Sequence, residues 1–218
     1  MHLMQKAIST LKNKGHEISS EEEQAVLIAI LLHDVGHGPF SHALEHSIVS
    51  GINHENISML IMDNLNEEFK GKLSLAIKIY RNQYSKAFLH QLISSQLDVD
   101  RLDYLKRDSF YSGVSEGIIN ADRIISMLNI SNGNLVVDAK AIYSIEKFII
   151  ARRLMYWQVY LHKTVLSAEF SLVEALKRAK TLVKKDVEIF STSALREFLQ
   201  NNHSLQNFNT NPKLLDLF

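Results

Sequence analysis

Residues 25–46 read AVLIAILLHDVGHGPFSHALEH. The first eight, Ala25 to Leu32, are the longest apolar run in the chain. Eight residues cannot cross a bilayer, which needs about 20. Ser20 and Glu23, just ahead of the run, have the spacing of a capping box. The pattern predicts a buried helix over about 20–34, stopped by Gly36, Gly38 and Pro39.

Polar chemistry gathers where that helix ends. Five of the ten histidines lie between His33 and His54, namely His33, His37, His42, His46 and His54, with Asp34, Glu45 and Glu55 near them. Imidazole nitrogen and carboxylate oxygen suit divalent transition metals. His33 and Asp34 are adjacent at a helix end beside small residues, where both can reach one ion. His42 and Glu45, three apart, share a helix face, the spacing by which a carboxylate orients an imidazole. A lone histidine at a helix end is usually structural; five in 22 residues against five in the other 196 point to a metal or acid–base site. A competing pattern overlaps: His42-Ala43-Leu44-Glu45-His46 matches the inverted zinc-peptidase signature. It leaves His33-Asp34 and everything downstream unexplained. His46 reads as a packing or solvent-facing residue.

Away from this stretch the composition is that of an ordinary folded chain. It has 218 residues, 46% hydrophobic and 22% charged, with 24 basic and 24 acidic side chains. Zero cysteines exclude a disulfide scaffold, a thiol nucleophile and thiolate metal sites. Zero net charge argues against a dedicated nucleic-acid or anionic-membrane surface. Lys177, Arg178, Lys180, Lys184 and Lys185 read as one solvated helix face. No targeting or membrane-spanning segment is apparent, and the cytoplasm is the expected location. Two prolines and eight glycines leave few breaks, so the expected fold is all-α. Helical patterns fall at about 3–14, 54–65, 71–82, 85–96, 98–108 and 118–128, and a long helix is expected over about 140–165. The exception is 129–139, where Asn132-Gly133 beside Leu135-Val136-Val137 predicts a small β-hairpin.

A second signature lies at residues 94–114, SSQLDVDRLDYLKRDSFYSGV. Asp98, Asp100, Asp103 and Asp108 alternate with Arg101, Lys106 and Arg107, interrupted by Leu97, Leu102, Tyr104 and Leu105. Acidic groups on a partly buried helix need cations or partners. Taken with LLHDVGHGPFSH, this stretch resembles the HD-domain phosphohydrolases, in particular the deoxynucleoside triphosphate triphosphohydrolase (dGTPase-like) branch. ARRLMYWQVYLHKTV at 151–165 agrees. The resemblance spans about residues 1–180.

The resemblance implies an HD-domain helical bundle, with 1–128 as core and 129–218 as hairpin plus long helices packing on it, continuing in a longer protein. It makes His33, Asp34 and Asp100 the metal ligands, Asp100 being the second acid of Asp98-Val99-Asp100. His37, His42 and His54 line the catalytic pocket, with Glu45 supporting His42. Arg101, Tyr104 and Asp108 touch triphosphate and sugar; Arg152, Tyr160 and Lys163 face phosphate or nucleoside. Tyr156 and Trp157 read as core. The family's metal site begins with a further histidine in an R-[FY]-x-H-[ST]-x-G stretch well upstream of the His-Asp pair. Here 32 residues precede His33, and Met1-His2-Leu3-Met4 resembles the segment just downstream of that stretch. The expectation is a chain that starts late relative to the family or has lost that ligand.

The implied activity is metal-dependent cleavage of a (deoxy)nucleoside triphosphate at the α-phosphorus, giving nucleoside and triphosphate. The implied cofactor is a divalent ion; manganese, magnesium, iron, nickel, cobalt and zinc all suit such ligands. The implied partners are a nucleotide substrate and further copies of the chain in a homo-oligomer, with no membrane and no nucleic acid. Two alternatives stand: an HD phosphodiesterase or phosphatase acting on another nucleotide, and a non-catalytic nucleotide-binding HD module.

Overall fold

The computed structural model describes residues 1–44, 53–211 and 214. The fold is helical, with one small antiparallel sheet, as the sequence predicts. In chain order the helices are α1 (His2–Asn13), α2 (Ser20–Leu32), α3 (Ser41–Leu44), α4 (His54–Glu68), α5 (Ser74–Tyr80), α6 (Ala87–Ile93), α7 (Val99–Ser112), α8 (Ala121–Ser126), α9 (Ile142–Met155), α10 (Lys163–Val183), α11 (Ser193–Gln200) and α12 (Leu205–Thr210). Strands β1 (Leu128–Ser131) and β2 (Asn134–Val137) lie between α8 and α9. No helix among the described residues is long and apolar enough to cross a membrane.

Contacts divide the chain into two compact units, Met1–His33 with Glu68–His162, and Asp34–Glu67 with Lys163–Phe218. Both are discontinuous in sequence, so neither coincides with the segments 1–128 and 129–218. Those segments stand as a proposal about how core and accessory parts divide the chain.

The first unit holds the main core. Met4, Ile8 and Leu11 of α1, Val26 and Ala29 of α2, Leu89 and Leu92 of α6, Leu102 and Leu105 of α7, and Phe148, Ala151 and Met155 of α9 are buried together. The capping box of α2 sits one residue earlier than expected: Ser19, not Ser20, is the cap, and its partner is Glu22, not Glu23. Both serine–glutamate pairs have the right spacing. The choice follows from burial, because Glu22 is buried and also accepts from Lys86 Nζ at 2.8 Å and Tyr84 OH at 2.7 Å. Glu23 instead pairs with Lys12. Burial alone would raise the Glu22 carboxyl, but the bonds from Lys86, Ser19 N and Tyr84 hold it below its ordinary value.

The hairpin pairs Leu128 with Val137 and Ser131 with Asn134. Its turn uses Asn132 and Gly133, both at positive φ, as a two-residue turn requires. Gln91 of α6 pins it, donating to Asn134 Oδ1 and accepting from Leu135 N.

The expected long helix over 140–165 is interrupted. α9 ends at Met155, Tyr156–Tyr160 forms a π-helical turn, and α10 begins at Lys163. Leu161 N donates to Tyr156 O at 2.7 Å, five residues back, which widens the turn. Such turns often mark functional segments. The same departure corrects the reading of Tyr156 and Trp157 as core: both are exposed, and Arg153 stacks over the Trp157 ring at 4.5 Å.

In the second unit, Ile57 of α4, Phe198 of α11, Phe208 of α12 and Leu214 form a smaller core, flanked by Leu60 and Ile61.

Candidate functional site

In the first unit, His33 caps the C-terminus of α2, and its Nδ1 lies 2.9 Å from Ile30 O. A carbonyl only accepts, so Nδ1 donates to it and Nε2 is the ring nitrogen on the Asp100 side. Nε2 lies 3.6 Å from Asp100 Oδ1. Two ligand atoms bound to one cation at roughly 2.0–2.2 Å sit about 3–4 Å apart. His33 and Asp100 are therefore spaced for one divalent ion, and the carbonyl behind the imidazole is the usual support of a metal-bound histidine.

Asp100 is placed by its neighbour in the Asp-Val-Asp run. Asp98 is buried and caps α7, accepting from Arg101 N at 2.7 Å and Ser95 N at 3.0 Å. It also accepts from Arg101 Nε at 3.0 Å. Burial raises the Asp98 carboxyl against the pull of these donors. With Asp98 spent on the cap, the first turn of α7 turns Asp100 toward His33.

Further along α7, Tyr104 meets the Tyr160 ring edge-on, with centroids 6.1 Å apart, and Asp108 accepts from Tyr160 OH at 2.6 Å. Burial, and then the bond to Asp108, push the Tyr160 phenol well above its ordinary range. Burial also raises Tyr104, with Arg152 and Arg101 opposing it. Arg101 is held above its ordinary value despite its burial, chiefly by Asp98. On α9, Arg152 lies over the Tyr156 ring at 5.7 Å. Its Nε is buried and meets no acceptor among the described residues. A buried guanidinium N–H without a partner suits an anionic ligand. Arg101, Tyr104, Asp108, Arg152 and Tyr160, five of the residues expected to touch substrate, thus belong to one unit and to one polar–aromatic group. Tyr156 joins it, edge-on to Tyr160 at 5.2 Å. The sequence reads Tyr156 as core rather than as part of this group; its place four residues before Tyr160 was the available signal.

In the second unit, Asp34, His37 and His54 each offer a ligand atom within 4.8 Å of the others. His37 Nε2 is 3.6 Å from Asp34 Oδ1, and the His37 and His54 rings stack with centroids 4.0 Å apart. Gly36 brings this loop against α4. Its N donates to the buried Ser58 Oγ at 2.9 Å, and a Cβ at Gly36 would collide with His54 O. His42 lies on α3, its side chain outside the described parts, while Glu45 and His46 lie outside the described residues. Lys163 opens α10 and is exposed.

Residues 3–108 match the family model of the HD domain, and residues 119–206 match that of the HD associated region. The chain belongs to the HD domain family. An uncharacterized protein of Bacillus subtilis is 36% identical over 173 residues, covering 76% of this chain and 40% of its own length. A Dictyostelium discoideum protein named deoxynucleoside triphosphate triphosphohydrolase SAMHD1 homolog is 30% identical over 202 residues, covering 84% of this chain and 39% of its own. Among solved structures, a phosphohydrolase from Bacteroides thetaiotaomicron superposes with a TM-score of 0.94 at 55% identity, over 99% of this chain and 53% of that one. This HD chain thus spans about half the length, or less, of these relatives.

Proposed function

We propose that this HD chain is the catalytic part of a metal-dependent phosphohydrolase that cleaves a (deoxy)nucleoside triphosphate at its α-phosphorus. The carrying observation is the His33 Nε2–Asp100 Oδ1 spacing of 3.6 Å, with the imidazole fixed from behind by Ile30 O. The named activity of the Dictyostelium relative supports the choice of substrate. On this reading His33, Asp34 and Asp100 hold one divalent cation. When bound, it supplies a Lewis acid to the phosphoryl group and to water.

The remaining work falls to the chain's own side chains. Arg101, Arg152 and Lys163 offset the triphosphate charge, where most phosphoryl-transfer catalysis arises. Tyr104, Asp108 and Tyr160 meet the sugar. Water adds to the α-phosphorus, the bond to the 5′ oxygen breaks, and that oxygen leaves with a proton. His42, oriented by Glu45, is the proposed donor of that proton, with His37 and His54 lining the same pocket. The products are a nucleoside and inorganic triphosphate.

The test is product analysis by anion exchange after incubation with dGTP and manganese, beside Asp34→Ala. Deoxyguanosine and triphosphate, both lost in the variant, are expected. Release of dGMP with pyrophosphate would overturn cleavage at the α-phosphorus on the 5′ side. Retained dGTP binding without turnover would favour the non-catalytic module.

A further inference from the structure

In the second unit the chain between α10 and α11 has the residues of a strand but no sheet. Val187-Glu188-Ile189-Phe190-Ser191-Thr192 is rich in β-branched and aromatic residues. It runs without helix, turn or bend and pairs with neither β1 nor β2. Its ends are tied down: Val187 N donates to Leu182 O, and Thr192 caps α11. In the four residues between, no main-chain N–H or C=O bonds to another group of the protein among the described residues. Burial alternates as in a strand. Ile189 and Ser191 are half-buried, whereas Glu188 and Phe190 are exposed, Phe190 completely. A phenylalanine wholly in water brings no burial to the isolated fold, and an unpaired apolar strand edge is a template for pairing.

A cleft of about 230 Å³ opens beside this segment. Val183, Ile189 and Leu199 give it an apolar wall, and Asp186, Glu188 and Arg196 border it. It is smaller than the roughly 300 Å³ at which small-molecule pockets begin, and it suits one or two side chains. Unpaired main chain beside a side-chain pocket is the arrangement by which an edge takes an added strand: backbone bonds give affinity and the pocket gives specificity. The free N–H and C=O groups thus fix the occupant as another extended main chain. Side chains narrow it further. Glu188 is the one charged residue of the segment, and Phe190 shares its outward face. Opposite charges, and aromatic with β-branched residues, are the favourable cross-strand pairs. We infer that residues 187–191 pair antiparallel with an extended segment of another polypeptide. That segment sets a basic side chain opposite Glu188, a β-branched one opposite Phe190, and an apolar one between them toward the cleft.

The test uses the full chain and the probe peptide fluorescein-Gly-Thr-Val-Leu-Lys-Val-Thr-amide, followed by anisotropy and by amide hydrogen exchange. Saturable binding is expected, with exchange slowed at 187–191. Adjacent amides of a strand point to opposite edges, so two further peptides are N-methylated, one at Leu and one at Lys. One methylation should weaken binding about tenfold or more, and the other should leave it within about twofold. Exchanging Lys for Glu in the peptide should weaken binding severalfold, and Glu188→Lys in the chain should reverse that preference. Glu188 faces solvent, and circular dichroism checks that the variant folds. Exchange at 187–191 that millimolar peptide does not slow overturns the inference. So does affinity that neither methylation lowers, or a charge preference that Glu188→Lys does not reverse. Amides at 187–191 already protected in the chain alone would assign the edge to a second copy and overturn it as well.

Discussion

Replacing Gly36 with Ala should damage activity through a single methyl group. The added Cβ would collide with Ser58 N and His54 O and lie 2.9 Å from Ile57 C. All three are main-chain atoms of α4, far inside ordinary contact, and none can rotate away. The loop from Asp34 to His37 must retreat from α4 or push it outward, and the Gly36 N–Ser58 Oγ bond is lost or stretched. Overpacking of this kind costs about 1–3 kcal/mol. For a chain of this size that is a fall in Tm of roughly 2–12 °C. The larger effect falls on the Asp34, His37 and His54 group, whose geometry depends on that contact. On the proposed function, a displacement of these groups by about 1 Å lowers turnover on the order of a hundredfold. Steady-state dGTP hydrolysis and differential scanning fluorimetry, run on the same preparation, measure both. The control is Gly117→Ala, whose Cβ would meet Met155 Sδ at 2.6 Å and Ser109 Cβ at 2.8 Å in the core of the first unit. Met155 is flexible, so this variant loses stability with kcat kept below its melting range. If Gly36→Ala keeps both Tm and turnover within twofold of wild type, the loop does not depend on this close approach.

Three further changes probe other parts of the molecule. Asp100→Asn should weaken manganese binding, read by isothermal titration calorimetry, about tenfold or more with little change in Tm, whereas Asp98→Ala should cost about 1–2 kcal/mol of stability by removing the cap of α7. Equal effects of the two on metal affinity would refute the division of labour. Lys86→Met should cost about 1–3 kcal/mol at neutral pH by depriving buried Glu22 of its cation. Because the native Glu22 carboxyl titrates below its ordinary value, that contribution is complete above the unfolded pKa and is lost as pH falls through the native one. The gap between wild type and variant in urea melts should therefore close toward acid, and a gap that widens there contradicts it. Arg152→Ala should raise the KM for nucleotide about tenfold or more while the fold persists, because on the proposed function its guanidinium offsets phosphate charge; an unchanged KM removes Arg152 from the substrate site.

Much of the fold was legible in residue order, for identifiable reasons. Helices α1, α2 and α4 to α8, and the hairpin, follow from apolar periodicity and from Asn132-Gly133, which are local signals. The break between α9 and α10 was not legible. It comes from a five-residue hydrogen bond from Leu161 N to Tyr156 O, and no glycine or proline marks it. The one-residue slip in the α2 cap has a tertiary cause: Lys86 and Tyr84, more than sixty positions away, select Glu22 over Glu23. The exposure of Trp157 likewise depends on which face of α9 the core takes. At the site, clustering brought out the histidines and the resemblance singled out Asp100, while the capping duty of Asp98 becomes visible only in the structure.

On the proposed function, that separation lets a short polar run serve a helix start and a reacting site together. A cap must turn back on the amides of its own helix, and Asp98 does so through Arg101 N and Ser95 N. A carboxylate two residues on, in the first helical turn, is freed from that duty and stands opposite His33. From there Arg101, Tyr104 and Asp108 recur at helical spacing along one side of α7, and the distance from Asp100 to Asp108 is about 12 Å of helix. Cation, phenol and carboxylate thus follow the proposed metal ligand in order. On the proposed reading this is also the order of a nucleotide laid along the helix: phosphates beside Arg101, then sugar beside Tyr104 and the Asp108–Tyr160 pair. A substrate bound in the opposite sense would put its phosphates against Asp108, a carboxylate already committed to Tyr160, and would leave Arg101 facing an uncharged sugar. The sequence of charges along α7 therefore favours one polarity of binding as well as one place.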